Sequence, residues 1–96
     1  MDKKRQMVKK GFVYILFSKK DKKTYTGSTD DLRKRLEEHE RGLCKSTRNR
    51  RPLRLIHTES YDNLSQAHKR EKYLKTAIGR KEIKKIFENH WGVAKR

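Results

Sequence analysis

The chain has 96 residues and carries 28 lysines and arginines against 12 acidic residues, a formal net charge of +16. This length allows one domain, and the charge surplus favours a polyanionic partner, with nucleic acid ahead of an anionic membrane surface. The longest apolar run, residues 12–17, is far shorter than the roughly 20 residues of a membrane helix, and the single cysteine excludes an internal disulfide and a multi-cysteine metal site.

The first part of the chain predicts a basic arm followed by a β-hairpin. Residues 1–10 hold five basic residues without apolar periodicity, which is typical of a flexible arm. The segment GFVYILFS, Gly11–Ser18, is rich in β-branched and aromatic residues and predicts a buried strand. Residues 19–23 then form a charged turn, and residues 24–27 form the returning antiparallel strand.

A first helix is expected after this hairpin. Thr29 is its predicted N-cap, and Asp30 and Asp31 are placed in its first turn, where the helix dipole favours negative charge. The helix is expected to end near Arg41 and Gly42.

The next segments predict a loop, a third strand and a second helix. Residues 43–52, LCKSTRNRRP, form a basic loop that ends at a proline. Leu53–Tyr61 alternates between apolar and polar residues and predicts a strand. Asn63, with a glutamine three residues later, predicts the start of a helix that runs to about Ala77 and is closed by Gly79.

A last helix is expected over residues 80–90, and residues 91–96 form a basic tail. Residues 11–90 then make a single domain with the order β-β-α-β-α-α. This order predicts an α+β fold, a small three-stranded and mainly antiparallel sheet flanked by helices.

One charge in each of the first two helices falls on the apolar face. In the first helix Leu32, Leu36 and His39 share a face by their spacing, and Arg35 lies beside them. In the second helix Glu71 fills the gap in an apolar stripe that is formed by Leu64, Ala67, Leu74 and Ile78.

Two interpretations of these charges remain open at this point, because a buried charge must be paired, bind a metal or line a cleft. The first is a structural salt bridge between Arg35 and Glu71. The second is a cleft in which Glu71 holds a divalent cation and Arg35 binds a phosphate through its planar guanidinium group. In such a cleft Tyr14 and Tyr25 could orient or deprotonate a water molecule.

The motifs resemble those of the GIY-YIG endonuclease domain, and most closely its small standalone bacterial members. FVYIL is followed by TYTG, then by DLRKRLEEH, and then by SQAHKREKYLK. The resemblance extends from about Gly11 to Phe87, and it implies a nuclease fold over nearly the whole chain. The departures are Phe12 and Val13 in the first motif, Thr26 in the second, and Ser28, where some repair nucleases of the family carry a lysine.

The resemblance implies a catalytic set and a cofactor. Carried over residue by residue, the family's functional positions fall on Tyr14, Tyr25, Arg35, His39 and Glu71, with Gly27 as the structural glycine of the second motif. Glu71 is the implied metal ligand, for a single Mg²⁺ or Mn²⁺ ion, and Arg35 the implied phosphate ligand. The implied reaction is hydrolysis of a phosphodiester in DNA, directed by substrate structure in repair or recombination. Which of the two tyrosines and the histidine takes the proton stays open.

The basic loop is the predicted contact with nucleic acid, through charges and hydroxyl donors that reach backbone phosphates. Its candidate residues are Lys45, Ser46, Thr47, Arg48, Arg50 and Arg51. DNA is favoured over RNA, and we expect a monomer in the cytoplasm, associated with the nucleoid and not with a membrane, with a protein partner as one source of specificity. The alternative to an enzyme is a nucleic-acid-binding module without catalysis on the same fold.

Overall fold

The computed structural model describes residues 9–91, the last of these by its backbone only. Trp91, the first residue of the expected tail, belongs to the last helix, whereas the rest of the tail, residues 92–96, and residues 1–8 of the expected basic arm lie outside the described residues. The described chain forms three strands and three helices in the predicted order, with a short 3-10 turn, Arg48–Arg50, in the basic loop. The elements are β1 (Gly11–Ser18), β2 (Thr24–Thr29), α1 (Leu32–Glu40), β3 (Leu53–Tyr61), α2 (Leu64–Leu74) and α3 (Ala77–Trp91).

The sheet has the strand order β2-β1-β3, and both strand pairs are antiparallel. The predicted α+β class and element order are thus confirmed. β1 is the central strand, and Tyr14 on it pairs with Gly27 on β2 and Thr58 on β3.

The two faces of β1 have different roles because successive side chains point to opposite sides of a strand. Val13 and Ile15 face α2 and α3, where they pack with Ala67, Leu74 and Ile83 in the hydrophobic core. The opposite face carries Tyr14, Leu16 and Ser18, which are also buried, and Tyr14 contacts α1 there. The buried polar contact between Tyr14 and α1 is therefore formed on the face that the apolar core does not use.

The start of α1 differs from its prediction. Asp31 is the N-cap, and its carboxylate accepts a hydrogen bond from the backbone N–H of Lys34 at 3.2 Å. Thr29 belongs to β2, which is longer than predicted, and its hydroxyl accepts a bond from the N–H of Asp31. The prediction of Thr29 as N-cap was wrong because Asp31 is an equally good cap placed two residues later. The predicted end near Arg41 and Gly42 is confirmed, since Arg41 is the C-cap.

The boundary between α2 and α3 also differs. The Asn63 cap is confirmed, since its side chain accepts from the N–H of Gln66 at 2.9 Å, but α2 ends at Leu74. Gly79 lies within the first turn of α3, where its N–H donates to the hydroxyl of Thr76 at 3.1 Å. A side chain on Gly79 would collide with the backbone of Tyr73 and Leu74. The glycine is therefore required for helix packing and does not terminate α2.

The apolar stripe predicted for α2 is shorter than expected. Ala67 and Leu74 are buried, but Ile78 belongs to α3 and is 66% exposed. None of the helices in the described range 9–91 is both long and apolar enough to cross a membrane.

Candidate active site

A chain of buried polar side chains links β1, α1 and the basic loop. The hydroxyl of Tyr14 lies 2.9 Å from Nε2 of His39, and Nδ1 of His39 lies 2.7 Å from Oγ1 of Thr47. All three residues are at most 2% exposed. Because both ring nitrogens are bonded, the orientation of the His39 imidazole is fixed from both sides.

Three aromatic rings converge at this point. The ring of His39 lies 5.5 Å from that of Tyr14 and 5.3 Å from that of Tyr25, and the two tyrosine rings are 6.4 Å apart. Gly27 makes room for the cluster, since a Cβ atom there would lie 2.6 Å from Cζ of Tyr14. The structure thus brings together four residues that were expected at the site: Tyr14, Tyr25, Gly27 and His39. The role of Gly27 is steric.

Burial shifts the pKa values of two of these groups in opposite directions. Burial raises the pKa of Tyr14 to about 12, although the Arg35 guanidinium group acts against this shift. Burial and the positive charge of Arg35 lower the pKa of His39 below its ordinary value of 6.5. At neutral pH the pair is therefore a neutral phenol beside a neutral imidazole, which can accept a proton.

Arg35 lies on α1 beside the Tyr14 hydroxyl and is half-exposed. Its Nη1 atom donates to a carboxylate oxygen of Glu38, one turn later on the helix, at 3.0 Å. A guanidinium group carries five N–H donors, so this bond leaves others for a phosphate. The 40% exposure of the Arg35 side chain makes those donors accessible.

Glu71 lies on α2, on the other side of β2. Its Oε2 atom accepts a bond from Nζ of Lys75 at 2.7 Å, and its Oε1 atom accepts one from the Ser28 hydroxyl. Burial alone would raise the pKa of this carboxyl, but the bonds from Lys75 and Ser28 outweigh it and hold the pKa below the ordinary value. Glu71 is therefore a half-buried carboxylate that is ionised at neutral pH.

Arg35 and Glu71 are bonded to these other partners, so the structure does not contain the salt bridge that was one interpretation of the two charges. Between the two helices lies a cavity of about 450 Å³, which is lined by Arg35 from α1, Ser28 from β2 and His68 from α2. Ser28, which lines this cavity, bonds to Glu71, so the carboxylate lies next to the cavity.

The donor set around Glu71 suits a hard cation that keeps most of its water. Mg²⁺ is commonly bound through one or two carboxylates, and Glu71 supplies one ionised carboxylate with a second lone pair on each oxygen. In the described part of the chain, no group of three or more histidine, cysteine and acidic side chains is placed to hold a metal ion. A closed, fully protein-ligated metal centre is therefore not formed by these residues, whereas a water-rich site at Glu71 fits them.

The residues of the basic loop are placed in different environments. Lys45, Ser46 and Arg48 are exposed, as a phosphate-contacting surface requires. Arg50 is half-buried and pairs with Asp21 at 2.6 Å. The exposed Arg51 donates to the backbone carbonyls of Arg48 and Glu40, at 3.1 and 3.2 Å.

Thr47 is the exception in this loop. It is fully buried, and its hydroxyl points inward to His39. This placement differs from the surface role predicted for it, because it separates Thr47 from the exposed face of the loop. The pattern of the sequence carries no signal for this contact, which is formed only when the loop folds over α1.

Sequence reasoning did not identify three residues that bond to the charged groups of the site: Glu38, Lys75 and Ser28. Glu38 pairs with Arg35 at a spacing of three residues and Lys75 pairs with Glu71 at a spacing of four, both of which place side chains on the same face of a helix. These spacings could have revealed both pairs. Ser28 joins β2 to α2 across the sheet, and no local spacing predicts that bond.

Comparison with known proteins gives the class to which this fold and site belong. A family model described as the GIY-YIG catalytic domain matches residues 10–91. The chain belongs to the GIY-YIG family, whose members form a nuclease superfamily.

Within this family the chain is similar to the proteins named UPF0213. It is 42% identical over 82 residues to the UPF0213 protein of Syntrophus aciditrophicus, a match that covers 83% of this chain and 93% of the relative. It is 40% identical over 80 residues to UPF0213 protein SSP2268 of Staphylococcus saprophyticus, with 82% and 96% covered. The solution NMR structure of UPF0213 protein BH0048 from Bacillus halodurans superposes with a TM-score of 0.51 at 29% identity, over 91% of this chain and 99% of that one.

Proposed function

We propose that this protein is a metal-dependent endonuclease that hydrolyses phosphodiester bonds in DNA and selects its substrates by their structure, as in repair or recombination. The observation that carries the proposal is the arrangement around β2. A proton-accepting Tyr14–His39 pair and the Arg35 guanidinium group lie on one side, and the ionised carboxylate of Glu71 lies on the other.

Arg35 binds the phosphate to be cleaved. Its guanidinium group matches phosphate oxygens in geometry and charge, and it stabilises the additional negative charge that develops when water attacks the phosphorus atom. Glu38 holds the side chain in place from one side. Removing such a donor typically lowers the rate by about 10²–10³-fold.

Tyr14 and His39 accept the proton that the attacking water loses. Tyr14 is too weak an acid to act as a phenolate at neutral pH, so the neutral imidazole of His39 is the final acceptor, with the Tyr14 hydroxyl between it and the water. Thr47 is the positioning residue that holds His39 for this transfer. Tyr25 lies close enough to both rings to orient the water.

Glu71 would hold the divalent cation, Mg²⁺ or Mn²⁺, through its ionised carboxylate. When bound, the ion would supply Lewis-acid stabilisation of negative charge on the leaving oxygen. The hydrogen bond from Ser28 keeps one carboxylate oxygen directed to the end of β2. Lys75 shares the other oxygen and competes with the cation for its charge.

The exposed basic residues of the loop bind the DNA backbone beside the site. Lys45, Ser46 and Arg48 are exposed, and Arg51 presents its side chain on the same loop. DNA is favoured over RNA, the active form is a monomer, and the place of action is the nucleoid in the cytoplasm. A protein partner would add specificity for particular substrates.

Labelled branched, nicked and linear DNA, incubated with Mg²⁺ or Mn²⁺, tests the proposal. The wild-type protein is expected to cut at least one of these structures and to be inactive with EDTA. Arg35→Ala is expected to lose about 10²-fold or more of the cleavage rate. Arg33→Ala, an exposed arginine on the same helix, is the matched control and should retain activity.

A binding module without catalysis would give a different result. All variants would then bind every DNA structure in a salt-sensitive way, and no structure would be cut with either metal ion. Equal cleavage by the Arg35→Ala and Arg33→Ala variants would contradict the role of Arg35 while leaving nuclease activity intact.

A further inference from the structure

A groove with an apolar floor runs along the edge strand β2 on the side of α3. It has a volume of about 610 Å³. Its floor is formed by the partly exposed rings of Phe17 and Phe87, with the buried Leu74 and Ile83 beneath them. The rings of Phe17 and Phe87 lie 5.2 Å apart, so the floor is continuous between strand and helix. Volumes of roughly 300–1,000 Å³ are typical of sites that enclose small molecules or single residues of a chain.

Basic side chains surround this floor. Lys22 and Lys23 of the hairpin turn stand on one side, and Arg80 and Lys84 of α3 stand on the other. None of the described residues that line the groove is acidic. Over residues 9–91, no carboxylate lies within ion-pair distance of these four side chains.

Two arginines elsewhere in the described residues are neutralised internally. Arg50 pairs with Asp21, and Arg70 pairs with Glu59 and Glu82. The rim of the groove therefore presents positive charge to an external anion, beside an apolar surface. This combination fits an unpaired nucleic-acid strand, because its bases can stack on the floor while its phosphates meet the cations. A duplex fits less well, because its bases are already stacked inside the double helix and cannot stack on the floor.

The groove is continuous with the candidate active site. Tyr25 and Lys75 both line it, and these residues also contact His39 and Glu71 respectively. A strand in the groove therefore lies next to the groups assigned to cleavage. This continuity favours nucleic acid over an acidic peptide as the occupant.

We propose that the groove binds an unpaired stretch of nucleic acid that adjoins the scissile phosphate, and that it thereby directs the enzyme to substrates with a single-stranded arm. The assignment of the arm rests on the proposed nuclease function, whereas binding of a single strand does not.

A pair of matched double variants on α3 tests the proposal. Arg80→Gln with Lys84→Gln removes two charges from the rim. Lys81→Gln with Lys85→Gln removes the same charge from exposed positions of the same helix that do not line the groove. Affinity for a single-stranded oligothymidylate and for a blunt duplex is measured by fluorescence anisotropy in EDTA, so that no cleavage interferes.

The groove variant is expected to bind the single strand about tenfold more weakly than the control variant, while the two bind the duplex equally. Equal losses for both variants would overturn the proposal, because charge alone would then explain binding. Binding of polyglutamate with the affinity of the single strand, and with the same dependence on the rim, would also overturn it in favour of an acidic protein partner.

A cleavage assay distinguishes a failure of this inference from a failure of the proposed function. A nuclease that uses the groove should lose its preference for flapped over blunt DNA in the rim variant only. If no DNA is cut but the single-strand binding result holds, the groove assignment stands and the nuclease assignment fails. If DNA is cut and the rim variant keeps wild-type single-strand affinity, the nuclease assignment stands and the groove assignment fails.

Discussion

At the scale of single residues, the site depends on what surrounds the Tyr14 hydroxyl. This group bonds to His39 and also lies against Arg35, whose guanidinium group can only donate. The phenol is therefore held between a proton acceptor and a cation. Each neighbour is in turn fixed by a residue that is not in the expected catalytic set, His39 by Thr47 and Arg35 by Glu38.

Removal of the Thr47 hydroxyl should weaken catalysis without removing any group that touches substrate. Thr47→Val keeps the shape of the side chain but leaves Nδ1 of His39 without its partner. We expect cleavage to decrease by about 10–100-fold, the size of the effect that follows loss of the hydrogen-bond partner of a metal-bound imidazole. Thr47→Ser keeps the hydroxyl and should restore most of the activity.

The ¹⁵N chemical shifts of His39 provide the second measurement, since they report the protonation of each ring nitrogen. They should change in Thr47→Val and stay close to those of the wild type in Thr47→Ser. Wild-type rates and shifts in the valine variant would contradict the positioning role.

The pH dependence of cleavage should follow His39. Burial and the charge of Arg35 lower its pKa below 6.5, with Glu38 acting in the opposite direction. The imidazole must be neutral to accept a proton, so the rate should stay constant at neutral pH and decline only as the pH falls below the ordinary histidine value. Single-turnover rates, compared with an NMR titration of His39, test this expectation. An acidic decline centred above that value would refute it.

At the scale of elements, charged side chains join α2 and α3 to β3, the edge strand on the opposite side of the sheet from β2. Arg70 of α2 donates to both carboxylate oxygens of Glu59 on β3, at 2.9 and 3.0 Å, and it also pairs with Glu82 of α3. Burial would raise the pKa of Glu59, but bonds from Arg70, Tyr61 and His57 lower it to about 2. This network fixes α2, and therefore Glu71, relative to the sheet.

Loss of the Glu59 charge should destabilise the fold in a pH-dependent way. A folded-state pKa near 2, below the ordinary value of 4.5, means that the ionised group stabilises the protein above that ordinary value and that this contribution is lost as the pH falls toward 2. We expect Glu59→Gln to lower the free energy of unfolding by about 1–3 kcal/mol at neutral pH.

Urea unfolding at neutral pH and at about pH 3 measures this difference, which should shrink in acid. Glu37→Gln, an exposed position on α1, is the control and should have little effect. A difference between Glu59→Gln and the wild type that is the same at both pH values would contradict the assignment.

The elements also show which features a sequence can reveal. The three strands and the charges Arg35 and Glu71 are visible as periodic patterns, because burial imposes the period of a strand or helix on the residues. The boundary between α2 and α3 was misplaced because glycine commonly terminates helices. Gly79 instead allows α3 to pack closely against the backbone at the end of α2. The contact between Thr47 and His39 depends on the folded loop, so no local pattern reports it.

At the scale of the whole molecule, internal pairing leaves the positive surplus on the outside. Asp21, Glu38, Glu59 and Glu71 each pair with a basic side chain of the chain itself. Among the described residues, basic side chains without a carboxylate partner lie at the basic loop and at the groove beside α3. A surface of this kind binds nucleic acid mainly by releasing counterions.

Duplex binding should accordingly depend strongly on salt. If about four phosphates are neutralised, the affinity should fall by about 10²-fold between roughly 50 and 200 mM salt. Anisotropy titrations of a blunt duplex in EDTA measure this slope. A change of less than about threefold over the same range would show that few phosphates are contacted and would contradict a phosphate-binding surface.

The most direct test of the central claim is the single-turnover cleavage rate of Glu71→Gln at saturating DNA with Mg²⁺. Glu88→Gln, an exposed carboxylate on α3, is the matched control. We expect the Glu71 variant to lose about 10²-fold or more of the rate and to keep its DNA affinity within about twofold, while the control stays active. Equal rates for the two variants, or no cleavage by the wild type on any DNA structure, would contradict the assignment of Glu71 as the metal-holding group of a nuclease.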